Sequence, residues 1–203
     1  MTENINWYPG HMKKTRELIA ANLRLVGAVV EVCDARIPVS SRNPIVDELI
    51  GRKPRVLVFN KADLADETAT KEWLALYGSG RDTEKALASA RGAKAGGRVF
   101  AVAMNSVTGD GIKKLLAALE RTGIARGDHS PKEGATPKGS PRFMVVGVPN
   151  SGKSSLINRL TGRKATRTGD RPGVTRGKQW LTLAGGMQLL DTPGILWPKF
   201  EDP

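Results

Sequence analysis

Residues 143–160 read FMVVGVPNSGKSSLINRL, and this stretch decides the fold. Its first part is an apolar run typical of a buried strand, and its last part has the apolar spacing of a helix. Between them, Gly147 to Ser154 match the pattern GxxxxGK[ST], a loop whose backbone N–H groups curl around phosphate oxygens. In this strand–loop–helix context a chance glycine-rich turn is the poorer explanation, so we predict a phosphate-binding loop.

Phosphate chemistry assigns roles within this loop. Lys153 would place its ammonium group against the β- and γ-phosphate oxygens, and the Ser154 hydroxyl would ligate Mg²⁺. The positive end of the helix dipole adds to the attraction for the anion. The remaining predicted nucleotide contacts in the loop are Pro149, Asn150, Ser151, Gly152 and Ser155.

Apolar runs alternate with helical stretches along the rest of the chain, which is typical of an α/β sheet. Only three residues separate the last two runs, so these should form an antiparallel hairpin. Asp66 is the expected N-cap of the third helix. Strands are predicted at 28–33, 55–59, 99–103, 143–148, 179–183 and 187–190, and helices at 12–26, 44–50, 67–77, 112–121 and 153–160.

Two further motifs follow the phosphate loop. Asp191 begins DTPG, where a carboxylate can hold the water shell of Mg²⁺ and the Gly194 N–H can approach a γ-phosphate. DTPG alone is a weak match, but its distance from the phosphate loop strengthens it. Thr175, in RPGVTR at 171–176, is the expected hydroxyl that completes the Mg²⁺ shell; an ordinary polar loop residue is the alternative.

The base is indicated by Asn60-Lys-Ala-Asp63, directly after the second predicted strand. Guanine presents N1–H and the 2-amino group as adjacent donors, and the Asp63 carboxylate can accept from both. Adenine would leave that carboxylate without a partner, which is costly. Asn60 would brace the surrounding loops, and the Lys61 stem would cover one face of the base.

A second base loop is predicted at 103–106, AMNS, at the end of the third strand. There Asn105 and Ser106 would direct backbone N–H groups at the guanine O6 atom. Taken alone, AMNS is a weak match to a base-binding loop, and this assignment depends on the presence of the NKAD motif.

The order of these motifs is diagnostic. Ligand loops lie at the carboxyl ends of strands in an open α/β sheet, so a site can survive a change of chain order. In Ras-like proteins the phosphate loop precedes NKxD, whereas here it follows. Cutting that fold before the strand at 28–33 and joining its old ends reproduces the order. The joint is then the Gly-, Pro- and Ser-rich segment 123–142, a predicted linker.

In this order the chain resembles the circularly permuted GTPases, and among them the ribosome biogenesis GTPase A family of large-subunit assembly factors. The resemblance covers nearly the whole chain and implies a three-layer, doubly wound Ras-like P-loop fold with about six strands. It also implies GTP hydrolysis, dependent on Mg²⁺, in maturation of the large ribosomal subunit. The motifs that carry it are WYPGHM at 7–12, DARIP at 34–38, SRNP at 41–44, NKAD, GVPNSGKS, PGVT and DTPGILWPKFED.

Three residues need the family as a guide. Ras-like enzymes orient the attacking water with a Gln after DxxG, but Ile195 stands there. The resemblance implies that His11 takes over this task; by itself it would be a surface or helix-start histidine. Asn150 matches an Asn that helps coordinate K⁺ in potassium-dependent relatives, and a turn-forming Asn is the alternative.

Composition is consistent with this assignment and excludes other classes. The single cysteine, Cys33, excludes a disulfide framework and a Cys-rich zinc site. No apolar run approaches the roughly 18 residues of a membrane span, so we expect a cytoplasmic protein without a membrane partner. The net charge of +12 favours an anionic partner, and residues 159–178 carry seven basic residues against one acid. The large-subunit precursor and its rRNA are the expected partners.

We expect a monomer with residues 1–27 as an N-terminal segment and 28–200 as the permuted G domain. Residues 201–203 would begin a C-terminal extension, since family members usually continue there. Three alternatives remain open: an ATPase, which Asp63 disfavours; another permuted GTPase acting on the small subunit; and an RNA-binding module that uses GTP only structurally. The segment 78–97 has no assigned role.

Overall fold

In a computed structural model of the chain, the described residues are 9–42, 44–78, 98–122, 141–162, 179–183 and 186–191. Within these ranges, helices and strands alternate as the apolar pattern predicts. The helices are α1 (Pro9–Leu23), α2 (Pro44–Ile50), α3 (Glu67–Gly78), α4 (Ile112–Arg121) and α5 (Lys153–Thr161). The strands are β1 (Ala28–Asp34), β2 (Arg55–Asn60), β3 (Val99–Met104), β4 (Arg142–Val146), β5 (Gln179–Thr182) and β6 (Gln188–Asp191).

The strands form one six-stranded sheet in the order β3-β2-β1-β4-β6-β5. Neighbours are parallel except β5 and β6, which form the expected antiparallel hairpin with Leu181 opposite Leu189. β4 is the fourth strand in the chain but lies inside the sheet beside β1. β1 therefore separates the strand that leads into NKAD from the strand that leads into the phosphate loop.

Helices cover both faces of the sheet and make three layers. On one face, α4 and α5 pack through Leu115 and Leu156 into the largest buried apolar cluster. On the other face, α1 and α2 contribute Ile19 and Val46 to a second cluster, and Trp73 of α3 packs against a third. β1 and β2 are buried along their whole length, as expected for strands covered on both faces. The predicted doubly wound fold is confirmed.

Small shifts in element bounds have local causes. α1 begins and ends three residues earlier than predicted, and its end is closed by a turn in which the Leu25 N–H donates to Asn22 O at 3.0 Å. β4 stops at Val146 rather than 148, because Gly147 has φ +150° and turns the chain. β4 also begins at Arg142, the last residue of the predicted linker. Asp66 caps α3 as expected, since its Oδ1 accepts from the Ala69 N–H at 2.7 Å.

Other predictions fall outside the described residues. The linker residues 123–140 and the segment 79–97 lie there, as do residues 1–8 and 192–203. The division into an N-terminal segment, a G domain and the start of an extension therefore stays a prediction. Among the described helices, none has the length and apolar character needed to cross a membrane.

A buried ionic cluster fastens the loop after β1 to the sheet. Arg42 donates from Nε to Glu31 Oε1 at 3.0 Å and from Nη2 to Asp47 Oδ1 at 2.8 Å. Arg55 Nη1 donates to both of these carboxylates. All four side chains are less than 10% exposed. Sequence patterning did not predict the cluster, which interrupts the apolar strand β1 with a charge.

Candidate functional site

Four loops meet at the carboxyl edge of the sheet. They follow β1, β2, β3 and β4, which are mutually aligned because each adjacent pair is parallel. The loops after β2, β3 and β4 are the predicted NKAD, AMNS and phosphate loops. The sheet thus brings together segments that lie far apart in the chain, at the edge where open α/β sheets bind ligands.

The phosphate loop depends on two glycines with positive φ. Gly147 has φ +150°, and a Cβ atom there would run into the Val32 carbonyl at the end of β1. Gly152 has φ +96°, and a Cβ atom there would collide with the Asn60 side-chain amide. The phosphate loop therefore packs directly against β1 and the Asn60 side chain, and a side chain at either glycine would displace the loop.

Lys153 begins α5, and its side chain turns back into the loop. Its Nζ donates to the Val148 carbonyl at 2.6 Å, and Ser151 Oγ donates to the same oxygen at 2.9 Å. Burial lowers the pKa of Lys153 to about 8. Ser154 and Ser155 are exposed in the first turn of α5, which contains no acidic residue. A desolvated ammonium at a helix N-terminus is suited to an anion.

Asn60, the last residue of β2, joins three loops. Its Nδ2 donates to the Ser151 carbonyl at 2.8 Å, and its Oδ1 accepts from the Ser106 N–H at 3.0 Å. The side chain is buried, with the residue 1% exposed. The bracing role predicted for Asn60 matches this geometry.

Lys61 and Asp63 follow Asn60 at the surface of the site. Lys61 has φ +60°, and its Nζ donates to the Asn150 carbonyl at 2.9 Å and to Asp34 Oδ2 at 2.8 Å. Asp63 lies in a 3₁₀ turn, Ala62–Leu64, and is exposed. Its carboxylate is therefore accessible to a ligand.

The AMNS loop is held by its own contacts. Asn105 Oδ1 accepts from the Val107 and Thr108 N–H groups at 2.8 and 3.1 Å. The Asn105 N–H donates to Asp110 O at 3.0 Å, while the Ser106 N–H donates to Asn60. Both N–H groups thus have acceptors within the protein, and their direction toward a guanine O6 atom stays a prediction.

The remaining predicted residues are placed to different extents. Asn150 lies at the exposed crest of the phosphate loop with φ +61°, and Pro149 precedes it. Asp191 ends β6, whose Leu190 pairs with Met144 of β4, so its backbone leaves the sheet beside the phosphate-loop strand. His11 belongs to the first turn of α1. Thr175 and Gly194 lie outside the described residues.

Asp34 and Arg36 lie beside these loops, although the sequence motifs assigned them no role in the site. Both belong to the DARIP segment at the carboxyl end of β1, and Arg36 makes a bidentate ion pair with Asp34 at 2.9 and 2.7 Å. This pair lowers the pKa of Asp34, and the Lys61 ammonium lowers it further. A charged residue at the end of a central strand was the signal that could have found Asp34.

Among the described residues, no group of three or more His, Cys, Asp and Glu side chains could hold a metal ion. Mg²⁺ in proteins keeps several waters and is usually held by few side chains together with substrate phosphates.

Comparisons with known proteins agree with this geometry. The profile of the family described as 50S ribosome-binding GTPase matches residues 142–202. The chain is 44% identical to ribosome biogenesis GTPase A of Bacillus cereus, over 98% of this chain and 61% of that protein. It is 39% identical to mitochondrial ribosome-associated GTPase 1 of Mus musculus, over 96% of this chain and 56% of that protein.

A solved structure shows the same likeness. The GDP-bound structure of TM YlqF aligns with a TM-score of 0.56 at 32% identity, over 91% of this chain and 60% of that one. The chain spans less than two thirds of the length of these relatives.

Proposed function

We propose that this chain, which is similar to ribosome biogenesis GTPase A over 98% of its length, binds and hydrolyses GTP as a switch in assembly of the large ribosomal subunit. The observation that carries the proposal is the position of Asn60. Its amide links the NKAD loop to Ser151 of the phosphate loop and to Ser106 of the AMNS loop. The loop that carries Asp63, the proposed base-selective residue, and the phosphate loop thereby belong to one site.

Base selection is assigned to Asp63. Its carboxylate is exposed at the pocket edge and would accept hydrogen bonds from N1–H and the 2-amino group of guanine. The Lys61 stem would cover one face of the base, and Asn105 and Ser106 would close the pocket on the other side. An adenine nucleotide would leave the carboxylate without donors, which costs binding free energy.

Phosphate binding is assigned to residues 149–155. Lys153 would exchange its bond to the Val148 carbonyl for the β- and γ-phosphate oxygens, and the N–H groups of the loop would surround them. Mg²⁺, which neutralises charge on the β- and γ-phosphates, fits here because the Ser154 hydroxyl is exposed in the first turn of α5. The residues assigned to this contact are Pro149, Asn150, Ser151, Gly152, Lys153, Ser154 and Ser155.

Hydrolysis needs groups that sense the γ-phosphate and place a water molecule. Thr175 and Asp191 are assigned to the Mg²⁺ shell, Asp191 through water, and the Gly194 N–H to the γ-phosphate. His11 is assigned to water positioning. Asn150 is assigned to a K⁺ site, because it is exposed in the loop to which phosphate binding is assigned.

The large-subunit precursor and its rRNA are the proposed partners. The matched family carries 50S, the large subunit, in its description. Residues 159–178 include Thr175 and carry seven basic residues, so their charge suits rRNA phosphates. We place this function in the cytoplasm, with the protein acting as a monomer.

GTP turnover with purified ribosomal subunits tests this function. We expect stimulation by large subunits, in K⁺ more than in Na⁺, and loss of turnover in Lys153→Ala. Stimulation by small subunits alone would contradict the choice of partner and favour the small-subunit alternative. GTP binding without turnover under all these conditions would favour a binding module over an enzyme.

A further inference from the structure

The ammonium group of Lys61 is held by two loops. It donates to the Asn150 carbonyl of the phosphate loop at 2.9 Å and to the Asp34 carboxylate after β1 at 2.8 Å. Asp34 pairs with Asn60 in the register of β1 and β2, so it stands directly beside the start of NKAD. The lysine therefore bridges the loops after β1 and β4 from its own position after β2.

The Asp34 carboxylate is itself fixed in place. Arg36 donates to it from Nε, from Nη2 and from its backbone N–H at 2.9, 2.7 and 3.1 Å. The Asp34 N–H donates to Ser41 Oγ at 2.9 Å, which ties the backbone as well. The carboxylate is only 8% exposed. A fixed, mostly buried carboxylate is a rigid acceptor for a flexible lysine.

Lys61 requires such an acceptor. A lysine side chain has a flexible four-carbon stem and no preferred direction of its own, so its position depends on where its ammonium group is bound. The Asn150 carbonyl alone supplies a neutral partner. The carboxylate adds a charge-assisted bond, about twice as strong as a neutral one.

We propose that Asp34 is a positioning residue of the guanine-nucleotide site, whose carboxylate holds the Lys61 ammonium group against the phosphate loop so that the Lys61 stem forms one wall of the base pocket. This inference rests on the proposed function. Asp34 touches neither the base nor the phosphates in this account and acts through Lys61.

A simpler role for Asp34 would be to order its own loop through Arg36 and Ser41. The two roles differ in one measurable respect. If Asp34 acts through Lys61, its removal costs nothing further once Lys61 is gone. If Asp34 only orders its loop, its removal costs the same in both backgrounds.

The experiment measures equilibrium binding and release of fluorescent GDP for the wild type, Asp34→Ala, Lys61→Ala and the double variant. We expect Asp34→Ala to weaken binding about tenfold, mostly through faster release, since a lost charge-assisted bond is worth about that factor. In the Lys61→Ala background the same change should alter binding less than about twofold. Equal losses in both backgrounds, or no loss in either, would overturn the inference.

Two further variants complete the test. Ser41→Ala removes a bond to the Asp34 backbone but keeps its carboxylate, so it should bind GDP like the wild type; a loss equal to that of Asp34→Ala would also overturn the inference. Asp34→Asn, which keeps the size of the side chain, replaces Asp34→Ala if thermal unfolding shows that variant to be unfolded. Failure of the wild type to bind GDP would refute the proposed function, whereas wild-type binding unaffected by Asp34 variants would refute this inference alone.

Discussion

The side-chain amide of Asn60 donates a 2.8 Å hydrogen bond to the carbonyl of Ser151, 91 positions further along the chain. This bond joins the base motif to the phosphate loop. Asn60 precedes the predicted linker 123–142 and Ser151 follows it, so this bond connects the two halves of the permuted chain. Because the residue is buried and its Oδ1 also accepts from Ser106, Asn60 connects the three nucleotide loops through one side chain.

Asn60→Ala should weaken both folding and nucleotide binding. The change leaves the buried Ser151 carbonyl and Ser106 N–H without their hydrogen-bond partner. This lowers the free energy of unfolding by about 1–3 kcal/mol. GDP affinity should fall at least about tenfold because the loops lose their common brace. Chemical denaturation and GDP titration measure the two effects. As a control, Thr122→Ala removes a buried hydroxyl bonded to Leu119 O, remote from the site, and should lower stability alone.

Gly152→Ala should disrupt the site through a direct clash. A Cβ atom at this position meets the Asn60 amide, so either the loop or Asn60 must move, and GDP binding should be lost. Gly162→Ala is the matched control. Gly162 also has a positive φ, +63°, but nothing lies within 4 Å of the added Cβ. It should cost about 1 kcal/mol of backbone strain and leave GDP affinity unchanged; equal affinity losses in the two variants would contradict the clash.

Nucleotide binding should depend on pH through Lys153. Burial lowers its pKa to about 8, and bound phosphates should raise that pKa again because an opposite charge favours the ammonium form. Above about pH 8, GDP binding is therefore accompanied by uptake of a proton at Lys153, and GDP affinity should fall as the pH rises beyond that value. GDP titrations between about pH 7 and 10 measure this. Lys153→Met should bind weakly and lack this decline; the same decline in both proteins would assign it to another group.

Breaking the buried ionic cluster at one residue should strongly destabilise the protein. Arg42→Met removes the main partner of Glu31 and leaves a buried carboxylate undercompensated, at a cost of about 3–5 kcal/mol. Arg16→Ala breaks an exposed pair with Glu48 and should cost less than about 1 kcal/mol. Urea unfolding of the two variants compares these pairs. Similar small losses in both would mean that burial adds little to the Arg42 contacts.

The sheet could be predicted because its strands carry a strong sequence signal. The central residues of β2, Val56 to Phe59, and the whole of β3 are apolar, since helices cover both faces, and the phosphate loop marks the exit of β4. The 3₁₀ turn at Ala62–Leu64 was not predicted, because it follows from the left-handed conformation of Lys61.

The ion pairs of the site could not be predicted in the same way. Lys61 and Asp34 lie 27 positions apart, and their contact depends on the register of β1 with β2. The Glu31 side chain would be a poor choice for a buried strand position until Arg42 and Arg55 are seen to pair with it. Residue type and spacing indicate chemistry, whereas pairing across strands depends on tertiary structure.

Base selectivity of the Asp63→Asn variant tests the central claim most directly. The change exchanges a carboxylate acceptor for an amide that can donate to the extra oxygen of xanthine. The measurement is equilibrium binding of GDP, XDP and ADP to the wild type, to Asp63→Asn and to Asp66→Asn, a matched change at the cap of α3. We expect the wild type and Asp66→Asn to prefer GDP and Asp63→Asn to prefer XDP. Unaltered preference for GDP in Asp63→Asn, or wild-type binding of ADP as tight as GDP, would contradict the account.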